Sequence, residues 1–120
     1  MPGASAALAA LRARGFRVGV VSNADGRVAA MLEAVGLAPH LEMIVDSHFE
    51  GVEKPNPEIF RRAVARLRVQ AARTLYVGDI FAIDVVGARA AGLAAVLIDE
   101  TGGYAGVDCP RIASLAELLG

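Results

Sequence analysis

The sequence alternates between two apolar spacings, and this alternation limits the chain to few folds. Short apolar runs have the length of buried strands and lie at 16–21, 42–45, 74–77 and 94–98. Segments with apolar residues at helical spacing lie at 5–14, 26–35, 56–67, 83–91 and 113–119. Strands that alternate with helices in this way predict an α/β fold with a parallel sheet and helices on both faces.

Length and composition exclude several classes of protein. The 120 residues suit a single domain, 1–120, with its own hydrophobic core. The net charge is −1, so we expect no nucleic-acid partner and no anionic membrane surface, and no apolar run has membrane-spanning length. Cys109 is the only cysteine, which favours a reducing, cytoplasmic setting.

Each predicted strand ends in polar residues. The four pairs are Ser22-Asn23, Asp46-Ser47, Gly78-Asp79 and Asp99-Glu100. The carboxyl ends of parallel strands share one edge of the sheet, and open α/β sheets bind ligands in the crevice beyond that edge. The pattern predicts a site there, although polar residues also occur in ordinary loops.

One lysine, Lys54, stands against eleven arginines. Lysine carries a compact point charge, whereas arginine carries a planar fork. A site that places one positive charge on a phosphoryl oxygen or beside a carboxylate can require the ammonium. The alternative is that a single lysine survived by chance in an arginine-rich chain.

Two other strand ends carry groups that suit an anion and a metal ion. Ser22 and Asn23 precede a helix, where a hydroxyl and backbone N–H groups can bind an anion, although Asn23 or Asp25 could instead cap that helix. Asp79 ends a strand, and Asp84 begins the next helix and can fold back toward it. Two close carboxylates need a cation or water between them, and Mg²⁺ takes one or two carboxylates with phosphate oxygens. Alternatively, Asp84 only caps its helix.

Three segments together resemble the motifs of one known family. They are Val20–Asn23, Lys54–Phe60, and Val77–Asp79 with Asp84. In this order they resemble the second, third and fourth motifs of the haloacid dehalogenase-like (HAD) hydrolase superfamily, which consists mostly of Mg²⁺-dependent phosphatases. The resemblance covers about residues 2–118 and implies a Rossmann-like core.

The resemblance also implies a role for each site residue. Ser22 and Asn23 would bind a phosphoryl oxygen of a small phosphorylated substrate, and Lys54 would neutralise the phosphoryl group and the nucleophile. Asp79 would coordinate Mg²⁺, and Asp84 would support the metal site through water. True dehalogenases of the superfamily work without metal and place Ser-Asn-x-x-Asp where this chain has Gly78-Asp79, so the resemblance favours a phosphatase.

The chain departs from the family at the first motif. No Asp-x-Asp precedes Ser22, so the nucleophile and the general acid/base of the family have no counterpart. We interpret the chain as the C-terminal part of a HAD core that lacks the first strand and the cap. In the family that strand lies between the second and fourth strands. We therefore expect either that its neighbours close into a four-stranded sheet, or that another chain supplies a strand; exposed edges also favour self-association.

Three functions remain open at this point. The chain could belong to a phosphomonoester hydrolase and be inactive alone. It could instead be a catalytically dead HAD-like domain that binds phosphate or a protein partner. A receiver domain has a similar length and a Lys-Pro pair, but Lys54-Pro55 lies in mid-chain here, which disfavours that reading.

Overall fold

The computed structural model describes residues 3–120, so Met1 and Pro2 of the predicted domain lie outside the described part. Helices and strands alternate along the chain, as the sequence predicts. The α-helices are α1 (Ala4–Ala13), α2 (Val28–Ala34), α3 (Ser47–Glu50), α4 (Pro57–Leu67) and α5 (Val86–Ala90). The strands are β1 (Gly19–Ser22), β2 (Met43–Asp46), β3 (Leu75–Gly78), β4 (Ala94–Ile98) and β5 (Arg111–Ile112).

The strands form two parallel sheets. β1 pairs with β2, with Val21 opposite Val45, and the second sheet has the order β3-β4-β5. The α/β fold with parallel strands is therefore confirmed. The two residues of β5 were not predicted, because so short a strand leaves no periodic signal.

One hydrophobic core joins both sheets. Val21 and Val45 come from the first sheet, and Ala95 and Leu97 come from the second. Helix α4 packs against β1, β2 and α5. Its residues Ile59, Phe60 and Ala63 belong to this core with Val64 partly buried beside them, and Leu67 is also buried. The helix begins where expected because the Asn56 side chain accepts a hydrogen bond from Glu58 N and Pro57 occupies the first turn.

A gap separates the two sheets. Within residues 3–120, β1 and β3 share no backbone ladder, so the expectation that the strands close into one four-stranded sheet is wrong. Val18 accepts a hydrogen bond from Glu42 at the β2 edge, and backbone groups alternate along a strand, so Val21 presents its carbonyl to the opposite edge. The side-chain hydroxyl of Tyr76 on β3 donates to that carbonyl at 3.0 Å.

Several element boundaries differ from the predictions. The predicted strand 16–21 begins only at Gly19, because the Phe16 N–H donates to Leu11 O at the end of α1 and is lost to any ladder. The predicted helix 83–91 opens with a π-helical turn, Phe81–Val85. The predicted helix 113–119 is a 3₁₀ turn, Leu115–Leu119. Among the described residues, no helix is both long and apolar enough to cross a bilayer.

Candidate active site

Two of the four polar strand ends serve the fold rather than a site. Asp46 is buried at the last position of β2, where it caps α3 through His48 N and accepts a second hydrogen bond from Val28 N at the start of α2. Asp99 follows β4 and accepts hydrogen bonds from Tyr104 N and from the guanidinium of Arg111. Each carboxylate satisfies local donors, which explains its position at a strand end.

The other two strand ends meet at Lys54. The Lys54 ammonium donates to Asp84 Oδ1 at 2.6 Å and to the Tyr76 hydroxyl at 3.1 Å, and its side chain is 12% exposed. These contacts use two of the three N–H groups of the ammonium. Among residues 3–120, the third N–H has no hydrogen-bond acceptor.

The backbone of Lys54 is fixed by Asn23. Lys54 N donates to Asn23 Oδ1 at 2.8 Å, and Asn23 Nδ2 donates to Lys54 O at 3.0 Å. Asn23 therefore ties the end of β1 to the loop that carries Lys54. It does not cap α2, whose N-cap residue Arg27 makes no side-chain capping hydrogen bond. Ser22, at the last position of β1, is half-buried and directly precedes Asn23.

Asp84 folds back toward Asp79, as the sequence predicts. Its Oδ2 accepts hydrogen bonds from Asp79 N and Ile80 N, both at 3.0 Å, while its Oδ1 pairs with Lys54. The cation beside this buried carboxylate is thus the Lys54 ammonium. Asp84 therefore does more than cap its helix, because its carboxylate binds both the loop of Asp79 and the Lys54 ammonium.

The surroundings of Lys54 keep it charged. Burial alone would lower the pKa of Lys54, but Tyr76 and the hydrogen-bonded Asp84 outweigh burial and hold the pKa above its ordinary value. Burial raises the pKa of the Tyr76 hydroxyl, and Lys54 offsets only part of that effect. At neutral pH the pair is therefore an ammonium beside a neutral, proton-bearing hydroxyl.

Two glycines allow close contacts around the site: Gly78 lies against Asp84, and Gly87 lies against Phe60 and Pro55. A Cβ on Gly78 would overlap the side chain of Asp84, and a Cβ on Gly87 would lie 2.6 Å from Phe60 and 2.9 Å from Pro55 O. A side chain at Gly78 would displace Asp84, and one at Gly87 would displace Phe60 or the loop of Lys54 and Pro55. Gly78 and Gly87 are therefore part of the site although they carry no reactive group.

Oxygen ligands for a metal ion are few in this chain alone. Asp79 is exposed at the end of β3, whereas the Asp84 side chain is 3% exposed and both its oxygens already accept hydrogen bonds. Residues 3–120 contain no group of three or more His, Cys, Asp or Glu side chains placed to hold a metal. A single carboxylate still fits Mg²⁺, which completes its shell with water and phosphate oxygens.

Comparison with known proteins identifies the family. A family model described as haloacid dehalogenase-like hydrolase matches residues 1–92. The chain belongs to this family. It is 43% identical over 110 residues to a phosphoglycolate phosphatase of Cupriavidus necator, covering 91% of the chain and 46% of that protein.

Solved structures of HAD proteins share the fold of the chain. The crystal structure of a HAD phosphatase from Thermococcus onnurineus matches with a TM-score of 0.91 and 31% identity, over 98% of the chain and 55% of that protein. The HAD hydrolase YfnB from Bacillus subtilis, solved bound to magnesium, matches with a TM-score of 0.88 and 27% identity, over 98% and 54%. The chain spans about two fifths to one half of the curated relatives it matches.

Sequence reasoning missed Tyr76. It belongs to the apolar run of β3, where a tyrosine is an ordinary strand residue, and only the structure places its hydroxyl against Lys54. A possible signal was its position two residues before Gly78, because alternate residues of a strand share one face.

Proposed function

We propose that this HAD chain forms the phosphate-binding and metal-binding part of a phosphomonoester hydrolase and is inactive alone. One observation carries the proposal: the charged Lys54 ammonium is held between the ends of β1 and β3 with one N–H unused. Burying an ion pair costs desolvation free energy that the attraction between the charges does not always offset. We therefore infer that the Lys54 charge has a function, and binding a phosphoryl oxygen is one such function.

The gap between β1 and β3 explains how the site would be completed. A parallel strand inserted there would end at the same edge as β1 and β3, between Ser22 and Asp79. An Asp-x-Asp at its end would then face Lys54. In the completed site Lys54 neutralises the nucleophile and the phosphoryl group, and the Ser22 hydroxyl donates to a phosphoryl oxygen.

We assign metal binding to Asp79 and a supporting role to Asp84. A bound Mg²⁺ would offset negative charge on the phosphoryl group. Asp79 offers the exposed carboxylate, and Asp84 orients its loop through the N–H groups of Asp79 and Ile80. The related Bacillus subtilis structure with magnesium and the phosphatase from Cupriavidus necator support a Mg²⁺-dependent reaction on a small phosphorylated substrate.

Reconstitution tests this function. With Mg²⁺ and p-nitrophenyl phosphate, the isolated chain should release no phosphate, because it lacks the nucleophile. Turnover should appear when a strand-forming segment that ends in Asp-x-Asp is fused before residue 3 or added as a peptide. Release of p-nitrophenol measures both states.

Matched variants make that result specific. An Asn-x-Asn segment should bind and give no turnover, and Asp79→Ala should abolish the turnover restored by Asp-x-Asp. Activity of the isolated chain that disappears with Asp79→Ala would show that the chain holds its own nucleophile. A bound Asp-x-Asp segment without turnover would favour the catalytically dead domain.

We further propose that the open strand edges cause self-association when no such segment is present. Each unpaired backbone group left dry would cost about 1–3 kcal/mol, so edges that pair with another copy are stabilised. Size-exclusion chromatography with light scattering should show dimers or larger species whose population rises with concentration. The buffer should be reducing, because the lone Cys109 favours a cytoplasmic setting. A monomer at every concentration would contradict this, and adding the segment should shift the chain toward the monomer.

A further inference from the structure

Tyr76 occupies an unusual position between the two sheets. Its hydroxyl accepts a hydrogen bond from Lys54 Nζ at 3.1 Å and donates one to Val21 O at 3.0 Å. Its ring meets Phe60 edge to face, with ring centroids 4.9 Å apart, and the Lys54 ammonium lies 5.5 Å from the ring centroid. Phe60 is fully buried, so the core fixes the ring and the ring fixes the hydroxyl.

The direction of these hydrogen bonds follows from proton count. A neutral tyrosine hydroxyl has one hydrogen to donate, and the Val21 carbonyl can only accept it. The lone pairs of the hydroxyl oxygen are then left for Lys54. Val21 belongs to β1 and Tyr76 to β3, so this chain of hydrogen bonds joins the lysine to both sides of the gap.

We propose that Tyr76 is a positioning residue: its hydroxyl, oriented by Val21 O, fixes the Lys54 ammonium so that its unused N–H points to the anion site. Asp84 supplies the countercharge of the ammonium, and Tyr76 supplies its direction. Only the consequence for phosphate binding rests on the proposed function. The restraint on Lys54 is a property of the chain itself.

The single lysine makes the proposal testable without enzyme activity. Incorporation of ¹³C- and ¹⁵N-labelled lysine gives NMR signals from Lys54 alone. In the unaltered chain the two Hε protons should have separate shifts, because the side chain is held in one conformation. Tyr76→Phe keeps the ring on Phe60 and the ion pair with Asp84 and removes only the hydroxyl, so the separation between the two Hε signals should shrink.

The second tyrosine provides the matched control. The Tyr104 hydroxyl accepts a hydrogen bond from Phe81 N and makes no contact with Lys54 among the described residues, so Tyr104→Phe should leave the Hε signals separate. Unchanged signals in Tyr76→Phe, or an equal loss of separation in both variants, would overturn the proposal. If Tyr76→Phe fails to fold, the unaltered chain decides: a slowly exchanging Tyr76 hydroxyl proton with cross-peaks to Lys54 Hε supports the proposal, and its absence overturns it.

Titration with inorganic phosphate separates this proposal from the proposed function. Phosphate should shift the Lys54 signals of the unaltered chain, and Tyr76→Phe should raise the half-saturating concentration by about two- to tenfold, the worth of one hydrogen bond. No response in the unaltered chain would count against phosphate binding, while the ligand-free spectra would still decide the role of Tyr76. An equal half-saturating concentration in both proteins would overturn the claim that Tyr76 directs the lysine toward the anion.

Discussion

Lys54→Met is expected to remove about 3–5 kcal/mol of folding stability, because it leaves the buried Asp84 carboxylate without its cation. The side chain of Asp84 is 3% exposed, so water cannot replace the ammonium. Its hydrogen bonds from Asp79 N and Ile80 N remain, but they do not neutralise the charge. Urea unfolding followed by circular dichroism would measure the loss, which is large against a domain stability of about 5–15 kcal/mol.

Two comparisons show whether the lost stability belongs to the buried pair. Adding Asp84→Asn to Lys54→Met removes the orphaned charge, and the double variant should recover much of the loss. Arg61→Met breaks an exposed pair with Glu58, whose side chains are 57% and 44% exposed, and should cost less than about 1 kcal/mol. Equal losses for Lys54→Met and Arg61→Met would show that the Lys54–Asp84 pair does not support the fold.

Much of the fold follows from local sequence rules. β4 was predicted at its observed bounds, since its apolar run is buried in the second sheet. The start of α4 follows such rules, since Asn56, Pro57 and Glu58 each satisfy a different need of a helix N-terminus. Helix α2 shows where such rules stop: the apolar spacing is present, but Met31 and Val35 are 61% and 63% exposed because the neighbouring elements leave that face uncovered.

The sequence predicted that the candidate residues lie near one another, but it did not predict their contacts. Strand ends predicted Ser22 and Asp79 at one edge of the sheets with Asp84 folded back toward Asp79, and Lys54 was singled out as the only lysine. The structure links Lys54, Asp84 and the Asp79 loop by hydrogen bonds. Spacing alone could not show that the cation beside Asp84 is Lys54. That pairing depends on tertiary packing between segments 30 residues apart.

The structure gives the two acids of the predicted pair different surroundings. Asp84 is buried and contacts both Lys54 and the loop after β3, whereas Asp79 is exposed. Burial decides the difference, since a carboxylate whose oxygens already accept strong hydrogen bonds is a poor ligand for an added ion. Under the proposed function, the metal ligand Asp79 and the supporting residue Asp84 would lie five residues apart in one motif.

Lys54→Arg is expected to lower the rate of the reconstituted phosphatase by about 10²–10³-fold, as for the loss of one electrostatic donor aimed at the reacting group. Charge is retained, so the loss would come from shape. The space between Asp84 Oδ1 and the Tyr76 hydroxyl receives a compact ammonium with donor distances of 2.6 and 3.1 Å. A guanidinium is longer and planar, so it would move its donors away from the phosphoryl group or displace one of the two partners.

The reverse exchange on the surface gives the control for this prediction. Arg61→Lys changes the same two side-chain types on an exposed part of α4 and should leave the rate of the reconstituted enzyme unchanged. Initial rates with p-nitrophenyl phosphate should be compared at equal folded fractions, so that a loss of stability is not counted as a loss of catalysis. Full activity of Lys54→Arg would mean that any positive charge suffices, and the single lysine of this chain would then have no catalytic significance.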